Sequence, residues 1–353
     1  INEEWISDKT RYACDGLKNQ RLDTPYKRAG NTFVKISWDE ANSLIIKKIK
    51  ETSPDEIAGF IGDLTNMETS YVLKEFFDKT IKSKYLECRS ENLYINSNKR
   101  ENYIFNASIN GIEDSDLILL IGTNPRYEAT ILNARIRKSF IKNNTKIFSI
   151  GDVADLTYPY KAYPNETKII KDIIEGKHEL SEKINNSTKP LIIIGESVLN
   201  LKSGKYIFEE IKKYLFSINK INKEWNSLNI LTKHASSVGS FDLNILSSIN
   251  GDNVAFSKVQ NGEFKVLFLV GQDNLNFKKT NEFIIYIGTH GDRGAEIADI
   301  ILPGSAYTEQ DGYFTNLEGK IQKAYKASYP PGEAKEDWKI VNELANLIKR
   351  KKL

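Results

Sequence analysis

Residues 116–122 read Asp-Leu-Ile-Leu-Leu-Ile-Gly, five large apolar residues in a row closed by a glycine. A strand with one wet face alternates apolar and polar side chains. An unbroken apolar run of this length fits a strand covered on both faces, as in a parallel sheet. The segment 128–142 follows with Leu132, Ile136 and Phe140 at helical spacing, and 146–151 (KIFSIG) is strand-like again. Strand, amphipathic helix, strand is the βαβ unit of an α/β fold.

The rhythm extends in both directions. Upstream, Ser37-Trp38-Asp39-Glu40 has the N-cap serine and third-position glutamate of a capping box. Ala41, Leu44, Ile45 and Ile49 then line one helical face, 56–62 (EIAGFIG) is a short buried strand, and Leu73, Phe76, Phe77 and Ile81 mark a second helix. Downstream, 190–195 (PLIIIG), 265–271 (KVLFLVG), 282–288 (EFIIYIG) and 298–302 (ADIIL) are further strands, with a helix at 206–216. The polar stretch 181–189 is expected to be a loop between units. A last helix is expected from about Lys335 to the end, with Trp338, Val341, Leu344 and Ile348 inward and the basic tail 349–352 favoured by its dipole. These units suffice for two doubly wound parallel sheets, with ligand-capable turns at the strand carboxyl ends.

Composition agrees with this and narrows function. The chain has 353 residues, enough for two or three domains of about 150 residues each. Fifty Lys and Arg against 47 Asp and Glu leave a net charge of +3, which argues against nucleic acid as a partner. The apolar runs fall well short of the roughly 20 residues that span a bilayer, so no direct membrane insertion is expected. Cys14 and Cys88 are the two cysteines, too few to hold an iron–sulfur cluster or a structural zinc unaided. The first residue is Ile1 and the single methionine is Met67, as expected if an N-terminal piece has been removed or initiation is unusual.

No G-x-G-x-x-G follows a strand and no Walker A sequence occurs. Two glycine loops remain. Gly288-Thr289-His290-Gly291-Asp292-Arg293-Gly294 can form an anion nest, or is a plain βα loop with special backbone angles, the commoner case. Gly122-Thr123-Asn124-Pro125-Arg126 can hold a phosphate or sugar, or is turn chemistry in which Asn-Pro stops the strand and Arg126 is solvated. His178, His234 and His290 stand in unrelated contexts and read as structural, with His290 alone in a ligand-capable loop. No nucleophile elbow is visible and Cys14 has no adjacent base. The residues alone therefore give an α/β protein without a catalytic constellation.

Longer segments carry a resemblance. NEEWISDKTRY (2–12), with Asp15 to Lys18 and Gln20 to Leu22, resembles the large iron–sulfur subunits of mitochondrial respiratory complex I (NADH:ubiquinone oxidoreductase). So do LILLIGTNPRYEATILNARIRKS (117–139), VADLTY (153–158), VLFLVGQDN (266–274), the stretch 288–322 and PPGEAKEDWKIV (330–341), all in the same order. The resemblance covers essentially the whole chain. It implies two related, Rossmann-like α/β domains of the molybdopterin oxidoreductase type after a short β remnant: 1–35 the remnant, 36–95 with 245–330 one domain, 96–244 inserted into it, and 331–353 a C-terminal helix.

The resemblance also implies a division of labour. Iron–sulfur clusters belong to a separate, cysteine-rich, ferredoxin-like N-terminal half, and Ser7 stands where cluster-bearing relatives have a cysteine ligand. Gly122, Asn124 and Arg126, with Gly288, His290, Gly291 and Gly294, fall where molybdenum-containing relatives bind their cofactor. In complex I those loops are vestigial. The expectation is a non-catalytic chain that binds no metal and no cofactor. It would brace the peripheral arm beside the N-terminal half and other arm subunits, on the matrix side of the inner membrane. The alternative is a molybdopterin oxidoreductase fragment that still binds a pterin or nucleotide.

Overall fold

The structure, a computed structural model, describes residues 3–350. Ile1, Asn2 and the tail residues 351–353 lie outside the described residues. The chain folds as two compact units. Among the described residues, one comprises 3–12, 93–233 and 317–319; the other comprises 13–92, 234–316 and 320–350.

In chain order the strands begin with the hairpin β1 (Tyr26–Ala29) and β2 (Thr32–Lys35), then β3 (Ile57–Ile61) and β4 (Leu86–Glu87). Next come β5 (Leu117–Ile121), β6 (Lys146–Ile150), β7 (Lys161–Tyr163), β8 (Pro190–Gly195) and β9 (Leu228–Leu231). Two short strands, β10 (Ser248–Ile249) and β11 (Asp252–Asn253), precede β12 (Val266–Val270), β13 (Phe283–Gly288) and β14 (Ile300–Pro303). A hairpin of β15 (Gly312–Thr315) and β16 (Ile321–Ala324) ends the series.

The unit centred on 93–233 has a five-stranded, all-parallel sheet in the order β7-β6-β5-β8-β9. Counted within the unit that is 3-2-1-4-5, the doubly wound order of dinucleotide-binding folds. Every residue of β5 and β8 is buried, as their unbroken apolar runs require. Ile118, Leu120, Leu191 and Ile193 pack on Ile136 and Leu132 of the helix Thr130–Asn143.

The other unit has a seven-stranded sheet, β2-β1-β14-β13-β12-β3-β4. Its parallel part runs 2-1-3-4-5 in the unit's own count, the second common doubly wound order. On one face the helices Trp38–Glu51 and Asp337–Arg350 bury Ile45, Ile49, Val341 and Leu344. Ser37 caps the first of these by accepting the Glu40 N–H at 3.2 Å. Phe76, Phe77 and Phe268 meet edge to face with centroids 5.8–6.1 Å apart, the favourable aromatic geometry.

Three expectations need correction. Residues 1–35 are not one separate β remnant: β1 pairs antiparallel with β14 and extends the large sheet, while 3–12 belong to the other unit. The stretch 181–189 is not simply a loop, because Glu179–Asn186 is a helix. His178 caps it by accepting the Leu180 N–H at 3.2 Å, and buried Leu180 and Ile184 outweigh the loop-like Ser and Asn content. In the last helix Val341, Leu344 and Ile348 are buried, but Trp338 is only half-buried and its indole N–H reaches Glu336 at 2.7 Å.

Candidate functional site

In open α/β sheets ligands sit outside the strand carboxyl ends, where the strand order reverses. Each unit has one such switch point, between β5 and β8 and between β3 and β12.

The β5/β8 crevice is filled by the chain itself. Gly122 holds φ +59°, and a Cβ there would lie 2.0 Å from Val198 Cγ2. Gly195 closes on the same turn: its Cβ would lie 2.2 Å from the Gly122 carbonyl. Ser197 Oγ donates to that carbonyl as well. The polar groups of 122–126 are also spent locally. Asn124 caps its own turn by accepting the Arg126 N–H at 3.1 Å and donates to Val153 at 2.9 Å. Arg126 pairs with Asp155 at 2.7 Å, so its charge is already met. Of the two readings of this loop, the geometry realises turn chemistry.

The β3/β12 switch point opens into a cavity of about 260 Å³. Its walls come from the segments just after β3, β12, β13 and β14. Gly288 and His290 line it, as their loop position predicts. The rest of that loop is engaged from within. Gly294 N–H donates to Asp273 at 2.8 Å, so a side-chain carboxylate occupies the nest that an anion would need. Gly291 N–H donates to the Gln20 carbonyl at 3.0 Å, and Leu22 N–H and the Arg21 guanidinium both donate to the Thr289 carbonyl. His290 Nε2 lies 3.1 Å from the Gly16 carbonyl, which can only accept. A proton therefore sits on Nε2, and Nδ1 shares a hydrogen bond of 2.7 Å with the Thr289 hydroxyl. The segment 16–22 thus lies along the loop and uses its donors.

Sequence reading missed the cavity's acidic side chains. Asp63, Asp273, Asp292 and Asp337 all line it. Asp63 pairs with His234 Nδ1 at 3.0 Å, and Asp273 also accepts the Tyr286 hydroxyl at 3.1 Å. Burial, with Asp292 and Asp63 nearby, pushes the Asp273 carboxyl above its usual range. Burial pushes Asp337 up to about 7, against the Ser305 N–H that favours its charged form. The available signal was positional. Gly62-Asp63 and Gly271-Gln272-Asp273 directly follow strands, where the switch-point rule places ligand contacts.

The family description "Molybdopterin oxidoreductase" matches residues 21–347. The chain belongs to the molybdopterin oxidoreductase family. A second description, the 4Fe-4S domain of NADH-ubiquinone oxidoreductase NDSU1/NuoG-like proteins, matches residues 1–15. Among curated relatives, the NADH-ubiquinone oxidoreductase 75 kDa subunit of Reclinomonas americana is 41% identical over 99% of this chain and 52% of its own length. An NADH-quinone oxidoreductase subunit from Rickettsia bellii is 40% identical over 99% and 50%. The mitochondrial 78 kDa subunit of Candida albicans is 38% identical over 99% and 48%. The chain therefore spans about half the length of these relatives. Among solved structures, a chain of the formyltransferase/hydrolase complex from Methylorubrum extorquens superposes with a TM-score of 0.65 at 11% identity, covering 93% of this chain and 99% of that one. Acetylene hydratase from Pelobacter acetylenicus superposes at 0.59 and 15%, covering 98% and 64%. Both likenesses show the fold.

The family implies a phosphate-bearing pterin with molybdenum, and the residues here do not fit one. The cavity wall carries four aspartates and no Lys or Arg, the wrong sign for a phosphate. Two loop N–H groups that could cradle one, those of Gly291 and Gly294, are taken, and the other switch point is filled by its own chain. Nor do the residues fit an iron–sulfur cluster. Ser7 Oγ instead accepts the Thr10 N–H at 3.2 Å, Cys14 and Cys88 form no disulfide, and no group of metal-ligating side chains converges among the described residues. No helix among those residues is long and apolar enough to cross a membrane.

Proposed function

We propose that this chain is the cofactor-free domain of the large iron–sulfur subunit of mitochondrial respiratory complex I. In this reading it braces the peripheral arm that carries electrons from NADH to ubiquinone. The observation that carries it is the similarity to the 75 and 78 kDa subunits over 99% of the chain at about 40% identity. The wrong-signed cavity and the filled β5/β8 crevice support the cofactor-free part. Without a redox group the domain cannot relay electrons, so its contribution is to shape and hold neighbouring parts. The clusters then reside in the cysteine-rich, ferredoxin-like N-terminal half, which with other arm subunits forms its partners on the matrix side of the inner membrane.

Two measurements test this. In blue-native electrophoresis of detergent-solubilised mitochondria, the chain should migrate with the band that stains for NADH dehydrogenase. Migration elsewhere overturns the assignment. Elemental analysis of the purified chain should return iron and molybdenum far below one atom per chain. Stoichiometric molybdenum, or a guanine nucleotide released on denaturation, would favour the fragment that still binds a pterin or nucleotide.

A further inference from the structure

The hairpin of β15 and β16 has one closed edge and one open edge. On the β15 side, Tyr313 N–H donates to Glu68 at 3.0 Å and the Thr315 hydroxyl to Met67 Sδ at 3.2 Å, so the helix Met67–Glu75 covers that side. β16 pairs with β15 and with no other strand among the described residues. Opposite residues in an antiparallel pair alternate between bonding each other and turning their N–H and C=O outward. Tyr313 is of the second kind, because its N–H goes to Glu68, and Lys323 stands directly opposite it. Lys323, and Ile321 two residues before it, therefore aim their backbone groups at the open edge. Such a row of unpaired groups is a template for one more strand.

The side chains specify the kind of strand. Residues 319–329 hold Lys320, Lys323 and Lys326 and no acid. None of the three pairs with a carboxylate among the described residues, whereas Lys279 and Lys335 of the same unit do so at 2.8 Å. Two of them lie against tyrosines instead. Lys323 Nζ is 4.8 Å from the Tyr325 ring centre and 6.0 Å from that of Tyr313, and Lys326 Nζ is 4.3 Å from that of Tyr329. A free edge that is merely guarded against pairing carries charge alone. Here the lysines stand among large apolar groups: Tyr313, Ile321 and Tyr325 are 44%, 57% and 73% exposed. Exposed apolar side chains gathered in one place, rimmed by charge, mark an interaction surface.

We propose that β16 is a docking edge for an extended acidic segment of a partner polypeptide, which pairs with it as a third strand. The carboxylates of that segment meet Lys320, Lys323 and Lys326, and its apolar side chains lie on Tyr313, Ile321 and Tyr325. The inference goes beyond the bracing role and holds whether or not the chain sits in complex I.

A fluorescein-labelled peptide of alternating Val and Glu is a suitable probe. Fluorescence anisotropy with the full chain should show saturable binding that weakens as salt is raised. The same peptide with Lys in place of Glu should not bind. The variant Lys323→Glu/Lys326→Glu changes two exposed side chains and should weaken binding by about tenfold or more. Hydrogen exchange separates strand pairing from charge attraction alone. In the unsubstituted chain the peptide should slow the Ile321 and Lys323 amides, which a peptide held only by charge would leave unchanged. That readout also survives if the variant misfolds. Absence of saturable binding, equal affinity for the Lys peptide or in a folded variant, unprotected edge amides, or tighter binding of oligothymidine than of the peptide would each overturn the proposal. None of these outcomes alters the electrophoretic or elemental tests above.

Discussion

Asp337 is a carboxylic acid that folding holds close to its neutral form. Burial raises its pKa from 3.8 to about 7, and the neighbouring Glu336 charge adds to the shift. The sign of the linkage follows. Below the unfolded value both states carry the proton. Between about pH 4 and 7 the folded state keeps a proton that the unfolded chain has released, so folding stability falls as pH rises. Above about 7 both states have lost it and the penalty is constant. Asp337→Asn removes this dependence. Relative to the unsubstituted chain, the variant should gain on the order of 2–4 kcal/mol between about pH 4 and pH 8. Urea unfolding midpoints of both proteins across that range measure it. A constant difference between the two would mean that Asp337 is ionised in the fold throughout.

At the level of elements, the strands were the most legible part of the sequence. Burial on both faces leaves no room for polar residues, so β5, β8 and β12 declare themselves as apolar runs. Elements decided by tertiary contacts were less visible. The helix Glu179–Asn186 is fixed by Leu180 and Ile184 packing inward, while its other positions look like a loop. The hairpin of β1 and β2 joins the large sheet through the pairing of Tyr26 with Ile301 and Lys27 with Ile300, far apart in the chain, which no local pattern reveals. The glycine loops were found, but not the acids opposite them, because Asp63 and Asp273 look like turn residues and Asp337 like the first-turn acid of a helix. The loop after β5 offers a direct test of how a closed crevice is built. Gly122→Ala combines a left-handed φ with a Cβ 2.0 Å from Val198, and should cost about 3 kcal/mol. Adding Val198→Ala should return part of that loss by removing the clash. Gly16→Ala, where no atom lies within 4 Å of the new Cβ, should be close to neutral. Chemical denaturation midpoints of the four proteins settle the comparison; equal costs at both glycines would contradict the packing described.

For the molecule as a whole, the arrangement of the chain makes one unit nearly self-contained in sequence. All five strands of the 3-2-1-4-5 sheet lie between residues 93 and 233, as do the buried side chains on both of its central strands. The same unit draws a few contacts from distant segments. Phe105 N–H donates to the Leu317 carbonyl at 2.9 Å, Ile109 N–H to Glu318 at 2.9 Å, and Arg100 to the Gly319 carbonyl at 2.6 Å. Glu3 receives Lys138 at 2.6 Å and sits 3.7 Å from Arg135, which keeps a second partner in Glu113 at 3.0 Å. The distant contacts are a few hydrogen bonds, the nearly buried Glu3–Arg135 pair and the Leu317 side chain packed on the core, whereas the sheet and its helices supply most of the apolar burial. A fragment of residues 93–233 should therefore fold alone, with α/β circular dichroism and one cooperative unfolding step. Its melting temperature should fall by several degrees relative to the same fragment carrying Glu3 and 317–319 on short linkers. A fragment that stays molten would shift the weight of the unit's stability from its sheet to those few distant residues. The insertion would then fold only once both of its flanks had been made.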